Sequence, residues 1–575
     1  MCGIVGCLNL QGKAMTSVVS ALNKLQNRGY DSAGICTVND RTLVHTKDIS
    51  TDNRTAMDTI NKSELIHNES RIAVGHTRWA THGAKTIENC HPHFDSENRY
   101  ALVHNGIIEN YQEIKEMISD CYGQTDSEVV VKYFSRGGFQ IFDDLKGSWA
   151  ILILDANSPN HITVAKNGSP LLMGLNDSNN KLMLVSEMSG FDADINRYAV
   201  IPDNTVTKIE ILDDMIVFPN YPLSSVNNTH TLSSPEPYPY WILKEIYDQP
   251  DVISNVLTTT FEEIDINPDH VILLACGTSY HAAQVGALWM RKLGARFTTQ
   301  VIDGADFEAH DLIENRNNLL ILISQSGETR DLYRALQIGK EHNVRSIGIV
   351  NVENSLIARD VDRCLYLKAG CEHAVASTKS FTAQVTMLLM LSMHLTGNRD
   401  EMLIKAINTL SSDIDKAIDS CENIEEIVNH FDDQTDCFIL GKHVGEWIAK
   451  EGALKVKEIS YVHAEGYSAS ALKHGPFALL THKVPVIVMC SRNQYYPKMI
   501  STLNEIKSRH STVIVITNTD IPSDICDYVL KLDVDSTLFD IISVIPLQLL
   551  AYHLALRRGH NPDYPRNLAK VVTVE

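Results

Sequence analysis

Short apolar runs divide this chain into two parts with different patterns. In the N-terminal third, short β-like runs alternate with helix-like stretches such as SVVSALNKLQNRG, and the runs include ICTV, RIAVGHTRWA, YALVHNGII, GSWAILILDA, HITVAK and KLMLVSE. Strands and helices mixed in this way predict an α+β fold with layered sheets over residues 2–214.

The rest of the chain alternates continuous apolar runs with helix-length segments. One set of runs is VILLAC, LLILIS, SIGIVN and CLYLK, and a second set is CFILG, VPVIVMC, TVIVIT and YVLKL. Uninterrupted apolar runs of this length are typical of parallel strands that are covered on both faces. The pattern therefore predicts two doubly wound α/β domains related by duplication, at 243–415 and 425–560, with helices between them.

A proline-rich stretch separates the two parts. It contains FPNYPLSSVNNTHTLSSPEPYPYW, whose prolines block both helix and central strand and whose Ser, Asn and Thr residues offer little to bury. We interpret residues 215–242 as a linker.

Composition and charge narrow the class of protein. The 575 residues carry a formal net charge of −21, and no basic run is present, which argues against nucleic acid or an anionic membrane as a partner. The 12 cysteines include no CxxC pair, so neither a zinc site nor a disulfide framework is indicated. No signal-peptide pattern and no apolar run of ~20 residues is found. We expect a cytoplasmic protein.

Cys2 is the first candidate for chemistry. Removal of the initiator methionine would place a thiol and a free α-amino group on one residue, and an amine with a pKa near ~8 can serve that thiol as a base. A buried core cysteine is the alternative, because free cysteine is often a small core residue.

Two loops in the first doubly wound domain suit an anion. Gly277-Thr278-Ser279 follows one apolar run, and Ser324-Gln325-Ser326-Gly327-Glu328-Thr329 follows the next. Ligands of such folds bind at the carboxyl ends of strands, where N–H and O–H donors can converge on a phosphate. Simple N-capping by Ser or Thr is the alternative. No dinucleotide or nucleoside triphosphate motif occurs.

Four further residues stand out in the last quarter of the chain. Lys455 and Glu458 are three residues apart on a predicted helix, where a surface ion pair is the alternative interpretation. His474 precedes Gly475-Pro476 and is therefore predicted on a loop. Lys570 lies in a C-terminal tail, residues 561–575, whose apolar VVTV end suggests that the tail docks into the site rather than frays.

Together these motifs resemble one family closely, the glutamine–fructose-6-phosphate aminotransferases (isomerising). The resemblance covers essentially the whole chain and rests on twelve motifs in order: MCGIVG, RGYDSAG, HTRWATHG, HNGIIEN, TDSE, KEIYDQP, CGTS, SQSGET, VASTK, EGALKVKEISYVHAE, LKHGP and PRNLAK. It implies an N-terminal-nucleophile glutaminase of layered αββα architecture, followed by two sugar-isomerase (SIS) domains.

The resemblance assigns roles in the glutaminase half. Cys2 would attack the side-chain amide of glutamine, and Asn105 with the backbone N–H of Gly106 would form the oxyanion hole. Arg78 would hold the α-carboxylate of glutamine and Asp126 its α-ammonium. The pocket would be completed by Thr77, Trp79, Thr81, His82 and Gly83.

It also assigns roles in the isomerase half. The phosphate of fructose 6-phosphate would be held by Ser324, Gln325, Ser326 and Thr329, and the sugar by Ser279 and Ser377. Lys570 would form a Schiff base with the ketose, and Glu458, with Lys455 beside it, would move a proton between C2 and C1. His474, supplied by a neighbouring subunit, would open the sugar ring, so the resemblance implies a homodimer through the SIS domains.

The implied reaction converts fructose 6-phosphate and L-glutamine to glucosamine 6-phosphate and L-glutamate, the first step of amino-sugar synthesis, with no metal or organic cofactor. Two departures from the family pattern stand out, namely Ser470-Ala471 before the ring-opening histidine and the segment Glu187-Met188-Ser189-Gly190. The alternatives are a SIS-domain sugar-phosphate-binding regulator without catalysis, a SIS isomerase without amide transfer and another glutamine amidotransferase. The sequence shows no phosphoribosyl or ATP-pyrophosphatase signature for the last of these.

Overall fold

The computed structural model describes residues 2–51, 54–67, 69–80, 83–118, 121, 123–226, 234–261, 264, 266–431, 434–534 and 537–571. The chain divides into two compact units. The first comprises Met1–Ser233 with Ala569–Val574, and the second comprises Ser234–Leu568.

The first unit is built on two antiparallel sheets. Its strands are β1 Gly3–Asn9, β2 Ser32–Asn39, β3 Thr42–Ile49, β4 Ile72–Arg78, β5 His93–Phe94, β6 Tyr100–Ile108, β7 Gly147–Asp155, β8 His161–Asn167, β9 Leu172–Asn176, β10 Lys181–Val185, β11 Ile195–Val200, β12 Thr205–Leu212, β13 Met215–Val217 and β14 Ser224–Ser225. One sheet has the order β14-β11-β9-β10-β1-β4-β2-β3 and the other the order β13-β12-β8-β7-β6-β5.

Helices cover the outer face of each sheet. They are α1 Ala14–Lys24, α2 Ala56–Ser63, α3 Tyr111–Met117 and α4 Asp126–Gly137. Apolar side chains of both sheets, such as Ile4, Val74 and Leu152, form one core between them. A second core joins α1 and α2 to the larger sheet, and a third joins α3 and α4 to the smaller. This arrangement confirms the layered αββα prediction.

The predicted linker begins too early. Met215–Val217 pairs antiparallel with Glu210–Leu212, and Ser224–Ser225 pairs with β11, so residues 215–226 contribute strands to the two sheets. Asp213 and Asp214 both have positive φ, of 50° and 54°, which is the backbone of a two-residue hairpin turn. Residues 227–233 lie outside the described part of the chain.

The second unit contains two parallel five-stranded sheets. The first has the order β16-β15-β17-β18-β19 and the second the order β21-β20-β22-β23-β24. The strands are β15 His270–Ala275, β16 Thr298–Asp303, β17 Asn318–Ser324, β18 Arg345–Val350, β19 Arg363–Tyr366, β20 Asp436–Gly441, β21 His463–Ser468, β22 Val486–Cys490, β23 Val513–Thr517 and β24 Tyr528–Lys531. The two sheets share one topology, which confirms the predicted pair of α/β domains.

Twelve helices of the described residues surround these sheets. They are α5 Trp241–Tyr247, α6 Gln249–Val256, α7 Gly277–Lys292, α8 Arg330–Glu341, α9 Leu356–Asp360, α10 Lys379–Thr396, α11 Glu401–Asp419, α12 Ile424–Val428, α13 Val444–Ser460, α14 Tyr496–Lys507, α15 Phe539–Ile542 and α16 Val544–Arg557. One continuous core joins alternate residues of both sheets to α7, α10, α13 and α16. Separate cores cover the opposite face of each sheet.

One stretch in the described residues, Phe539–Arg557, is long and apolar enough to cross a membrane on length and composition alone. Its mean hydropathy is 1.6, and 83% of the window is buried inside the structure, which core helices of soluble proteins also show. Polar residues such as Gln548 and His553 interrupt it, so it is not a continuous apolar run.

Candidate active sites

Cys2 lies at the start of β1, beside the end of the neighbouring strand β4. Gly3 pairs with Thr77, and the backbone N–H of Trp79, the residue after β4, points to Cys2 Sγ at 3.4 Å. Sγ also lies 3.6 Å from the carbonyl oxygen of Trp79. The thiol is partly buried, so it is held in place and still reachable.

Asn105 lies on β6 and faces Cys2 from the other sheet. Its Nδ2 donates to the Cys2 carbonyl at 2.7 Å, and its Oδ1 lies 3.1 Å from Nε2 of His76. The same Nε2 is 2.9 Å from the carbonyl oxygen of His104. With Nε2 protonated, His76 donates to both acceptors, which fixes the orientation of the Asn105 amide.

Gly106 has a backbone that only glycine tolerates. Its φ is +127°, and a Cβ at this position would lie 1.9 Å from the carbonyl oxygen of Ser148 on β7. The predicted oxyanion-hole pair, Asn105 and Gly106, is therefore set by the pairing of β6 with β7.

Arg78 and Asp126 are both buried. Arg78 ends β4, and its guanidinium donates to the carbonyl oxygens of Gly83 at 3.3 Å and Ala84 at 3.4 Å. Asp126 begins α4, and its carboxylate accepts the N–H of Ile108 at 3.0 Å. Thr77 donates its hydroxyl to the carbonyl of Leu25 at 3.5 Å, and two other predicted pocket residues, Thr81 and His82, lie outside the described residues.

Burial dominates the electrostatics of this site. It raises the pKa of the Cys2 thiol, and the hydrogen bond from the Trp79 N–H and the nearby Arg78 guanidinium oppose that shift only in part. Burial also lowers the pKa of His76 to about 3, and the pKa values of His91 and His93 fall well below the usual histidine value. These histidines are therefore neutral hydrogen-bonding groups at physiological pH, and the thiol needs a base.

Sequence reasoning missed the side chains that hold the Cys2 backbone. Arg28 is 2% exposed, donates Nε to the Cys2 carbonyl at 3.4 Å and forms an ion pair of 2.8 Å with Glu187. Glu187 also accepts from Ser189 at 2.9 Å. The sequence did contain a signal for these two residues, because Arg28 is the first residue of the RGYDSAG motif and Glu187 is the first residue of the segment that departs from the family pattern.

The loop after β17 is organised by its own hydroxyl groups. The Ser324 and Thr329 hydroxyls are 3.1 Å apart, and Ser324 accepts the N–H of Gly327 at 3.0 Å. Ser326 accepts the N–H of Glu328 at 3.1 Å. Gly327 has φ +66°, and a Cβ there would lie 2.0 Å from Ser355 Oγ. The structure thus brings the four predicted loop residues together at the carboxyl edge of the sheet.

Two unpredicted polar residues position the remaining sugar-contact candidates. Ser279 accepts from Gln384 at 2.9 Å, and Ser377 donates to Glu372 at 2.9 Å. Glu372 is 2% exposed and also accepts the backbone N–H of Thr378 at 3.0 Å. The buried Glu372 carboxylate therefore fixes the VASTK loop.

Lys455 and Glu458 form a buried network rather than a surface ion pair. Lys455 Nζ lies 2.6 Å from Glu458 and 3.4 Å from Glu451, and it donates to Thr278 at 3.0 Å. Glu451 also pairs with His281 at 2.8 Å. The sequence carried this signal, since residues 451, 455 and 458 share one face of α13. That helix ends at Ser460, so the last residues of the EGALKVKEISYVHAE motif are not helical.

The charges of this network stabilise one another. Burial alone would lower the pKa of Lys455, but the carboxylates of Glu451 and Glu458 outweigh it and raise that pKa. Burial would raise the pKa of Glu451, and the Lys455 ammonium outweighs it and lowers that pKa. Lys455 is therefore a permanently charged cation, and the Glu458 carboxylate pairs with it at 2.6 Å.

His474 is exposed and ends a short 3-10 helix, Ala471–His474. Ser470, one of the departures from the family pattern, accepts from Lys442 at 2.6 Å, and Lys473 pairs with Glu505 at 2.6 Å. These contacts anchor the loop within its own domain.

The C-terminal tail contains residues of both units. Asp563 accepts the backbone N–H groups of Trp241 and Ile242 at 2.9 and 2.8 Å, and its carbonyl accepts the N–H of Val375. Residues 569–571 group with the first unit, where the backbone N–H of Lys570 donates to the Asn27 carbonyl at 3.0 Å. Its role as a Schiff-base lysine stays a prediction.

Within the described residues, no group of three or more His, Cys, Asp or Glu side chains could hold a metal ion.

Comparison with known families assigns both parts of the chain. The sequence profile of the glutamine amidotransferase domain matches residues 61–228. The profile of the SIS domain matches twice, at residues 266–393 and 430–558.

Two relatives that align over their full length are both named as aminotransferases of the same kind. The chain is 50% identical to the probable glutamine–fructose-6-phosphate aminotransferase (isomerizing) of Acanthamoeba polyphaga mimivirus and 36% identical to the glutamine–fructose-6-phosphate aminotransferase (isomerizing) of Thermococcus kodakarensis. Each alignment covers 100% of both chains. Among solved structures, the C-terminal domain of glucosamine-fructose-6-phosphate aminotransferase from Francisella tularensis matches at 33% identity with a TM-score of 0.54, covering 58% of this chain and 100% of that one.

Proposed function

This chain belongs to the family of glutamine–fructose-6-phosphate aminotransferases (isomerizing), and on that premise we propose how its residues transfer the amide nitrogen of L-glutamine to fructose 6-phosphate. The products are glucosamine 6-phosphate and L-glutamate. The observation that carries the proposal is the position of Cys2, whose thiol meets the Trp79 N–H at 3.4 Å while Asn105 holds its carbonyl at 2.7 Å.

Ammonia is released in the first unit. The α-amino group that methionine removal frees accepts the Cys2 thiol proton, and the sulfur attacks the side-chain amide carbon of glutamine. The oxyanion accepts hydrogen bonds from Asn105 and the Gly106 N–H, groups that the sheet holds in place before the substrate arrives. Ammonia leaves, and water hydrolyses the thioester to glutamate. Arg78 and Asp126 bind the two charged ends of the amino acid.

The sugar phosphate is bound by residues of the second unit and is converted with the participation of Lys570 from the C-terminal tail. The phosphate binds the hydroxyl loop that contains Ser326, and Lys570 condenses with the open-chain ketose carbonyl. Ammonia replaces that lysine, and Glu458 then carries a proton from C1 to C2, which yields the aldose amine. Lys455 neutralises Glu458 in the resting state at 2.6 Å, so the carboxylate keeps a fixed position for this transfer.

The test is production of glucosamine 6-phosphate by the purified chain from fructose 6-phosphate and glutamine labelled with heavy nitrogen at the side-chain amide. We expect the label in the product amine and one glutamate for each amino sugar. Binding of fructose 6-phosphate without product would instead indicate a sugar-phosphate-binding regulator. Glutamate release without amino sugar would separate the two activities and contradict the proposal.

The homodimer is part of the same proposal, supported by the exposure of His474 in the described chain. Mixing a Glu458→Gln variant with a His474→Ala variant should restore roughly a quarter of the wild-type activity, because mixed dimers form half of the population and hold one complete site each. No recovery after subunit exchange would place His474 in the site of its own chain.

We also propose that the protein is cytoplasmic, and the buried free thiols of Cys7, Cys36, Cys437 and Cys490 support this location. Fractionation of the source cells, with immunodetection of the chain in the soluble cytoplasmic fraction, tests this location.

A further inference from the structure

A large cavity lies at the carboxyl edge of the second sheet of the second unit. Its volume is about 1100 Å³, and it is bordered by the ends of β20, β22 and β23 and by the C-terminal turn of α7. The described lining includes four cationic side chains, Arg291, Lys292, Lys405 and Arg492, and one carboxylate, Asp540. That excess of positive charge contrasts with the net charge of −21 of the whole chain.

The strand registers make this cavity the counterpart of the sugar-phosphate site in the first SIS domain. In the first sheet, Leu274 pairs with Leu322, and α8 begins eight residues after Leu322. In the second sheet, Leu440 pairs with Val488, and α14 begins eight residues after Val488. The loop from Cys490 to Tyr495 therefore corresponds, residue for residue, to the loop from Ser324 to Thr329.

The turn after the first strand of each domain matches as well. Gly277 lies two residues after β15 with φ +55°, and His443 lies two residues after β20 with φ +59°. This left-handed backbone is ordinary for glycine and costly for histidine. Strained backbone of this kind clusters at ligand-binding sites. The His443 ring stacks on Tyr495, with the centroids 5.9 Å apart.

The side chains at matching positions differ in charge. Arg492 occupies the place of Ser326 in the loop, so a guanidinium replaces a hydroxyl. Lys292, near the end of α7, occupies the place that Glu458 has near the end of α13, so an ammonium replaces the proposed base. Both side chains line the cavity. The second site is therefore suited to bind an anion and has no carboxylate at the position of the proposed base.

The geometry points to a second, non-catalytic binding site for a phosphorylated monosaccharide in this cavity, with Arg492 and Lys292 as its phosphate ligands. The ligand class rests on the proposed function, because it is taken from the matching loop of the first SIS domain. The volume exceeds what a hexose phosphate needs, and the carboxyl edge of an α/β sheet is where such ligands bind.

The test is calorimetric titration of the full-length protein with fructose 6-phosphate in the absence of glutamine. We expect each wild-type chain to bind two equivalents of fructose 6-phosphate. In Arg492→Ala and in Lys292→Ala, the affinity for the second equivalent should fall about tenfold or more, so that each variant binds one equivalent in the same concentration range. Ser326→Ala should weaken the other equivalent. Arg316→Ala, which removes an exposed arginine at the opposite edge of the first sheet, is the matched control and should keep both.

Two further measurements separate this inference from the proposed function. Arg492→Ala should still form glucosamine 6-phosphate, which shows that the variant is folded. In the wild type, inorganic phosphate should compete with fructose 6-phosphate for the equivalent that Arg492→Ala loses. A single equivalent in the wild type at ligand concentrations up to about 1 mM, the upper range of ordinary substrate affinities, would overturn the inference. So would two equivalents in both cavity variants. A wild-type chain that binds two equivalents but forms no glucosamine 6-phosphate would count against the proposed function alone.

Discussion

The proposed glutaminase site around Cys2 and the proposed isomerase site around Lys455 differ in how many charged side chains they contain. Around Cys2, three donors hold the residue, namely Asn105, the Trp79 N–H and Arg28, and of these only Arg28 carries a charge. In the isomerase site, by contrast, Lys455 is 1% exposed and lies between two carboxylates at 2.6 and 3.4 Å.

This difference follows the chemistry of each half. Amide hydrolysis develops charge only in the transition state, so dipoles fixed beforehand suffice. Moving a proton between two sugar carbons needs a carboxylate that is charged at rest, and burying that charge requires a cation beside it.

Replacement of Cys2 by Ala should have the largest effect, because it removes the nucleophile itself. We expect glutamate release to fall to the level without enzyme, while fructose 6-phosphate binding is unchanged. Cys7→Ala is the matched control, since burial raises the pKa of that thiol to about 12 and makes it inert. Glutamate release at the wild-type rate by Cys2→Ala would remove Cys2 from the mechanism.

Replacement of Glu451 by Gln breaks the buried charge network. Glu451 is fully buried, and loss of one partner of such a pair costs about 3–5 kcal/mol. Urea unfolding should show the destabilisation, and hexose phosphate isomerisation should fall while glutaminase activity persists. Glu446→Gln, on the same helix in a half-exposed pair with Lys450, should cost at most about 1 kcal/mol. Equal costs for the two variants would contradict the contrast.

Replacement of Ser326 by Ala removes one hydroxyl from the phosphate loop. A hydrogen bond to a charged group contributes about 1.5–3 kcal/mol, so the KM for fructose 6-phosphate should rise about tenfold or more. The KM for glutamine should stay at its wild-type value. Steady-state kinetics with each substrate varied in turn measures both, and the reverse pattern would show that the loop does not bind the sugar phosphate.

Acid should loosen the first unit before the second. The pKa of His76 is lowered by burial to about 3, below its unfolded value near ~6.5, so the unfolded state binds more protons between these values. Stability is therefore complete above pH ~6.5 and falls as pH drops, by about 2 kcal/mol at pH 5 for His76 alone. The low pKa values of His91 and His93 act in the same direction.

Hydrogen exchange of the intact protein at pH 5 and pH 7.5, resolved by mass spectrometry, measures this effect. Once intrinsic exchange rates are corrected for pH, β4 and β6 should lose protection at the lower pH, and β23 should not. Equal loss in both units would mean that the buried histidines do not set the acid response.

Much of the fold follows from local patterns that the sequence displays. Continuous apolar runs such as that of β15 predict parallel strands because both faces of such a strand are covered. The linker was harder to place, since β13 is a three-residue strand whose pairing depends on the turn at Asp213 and Asp214 rather than on its own composition. Short edge strands carry little periodic signal.

The class of fold, the duplication and the residue types at each site follow from local patterns of the chain, because hydrophobic period and motif spacing are local properties. The burial of Lys455 between Glu451 and Glu458, the contact of Arg28 with Cys2 and Glu187, and the cavity shared by Arg492 and Lys292 do not follow from such patterns. Burial, and contacts between residues far apart in sequence, depend on which faces of helices and sheets pack together.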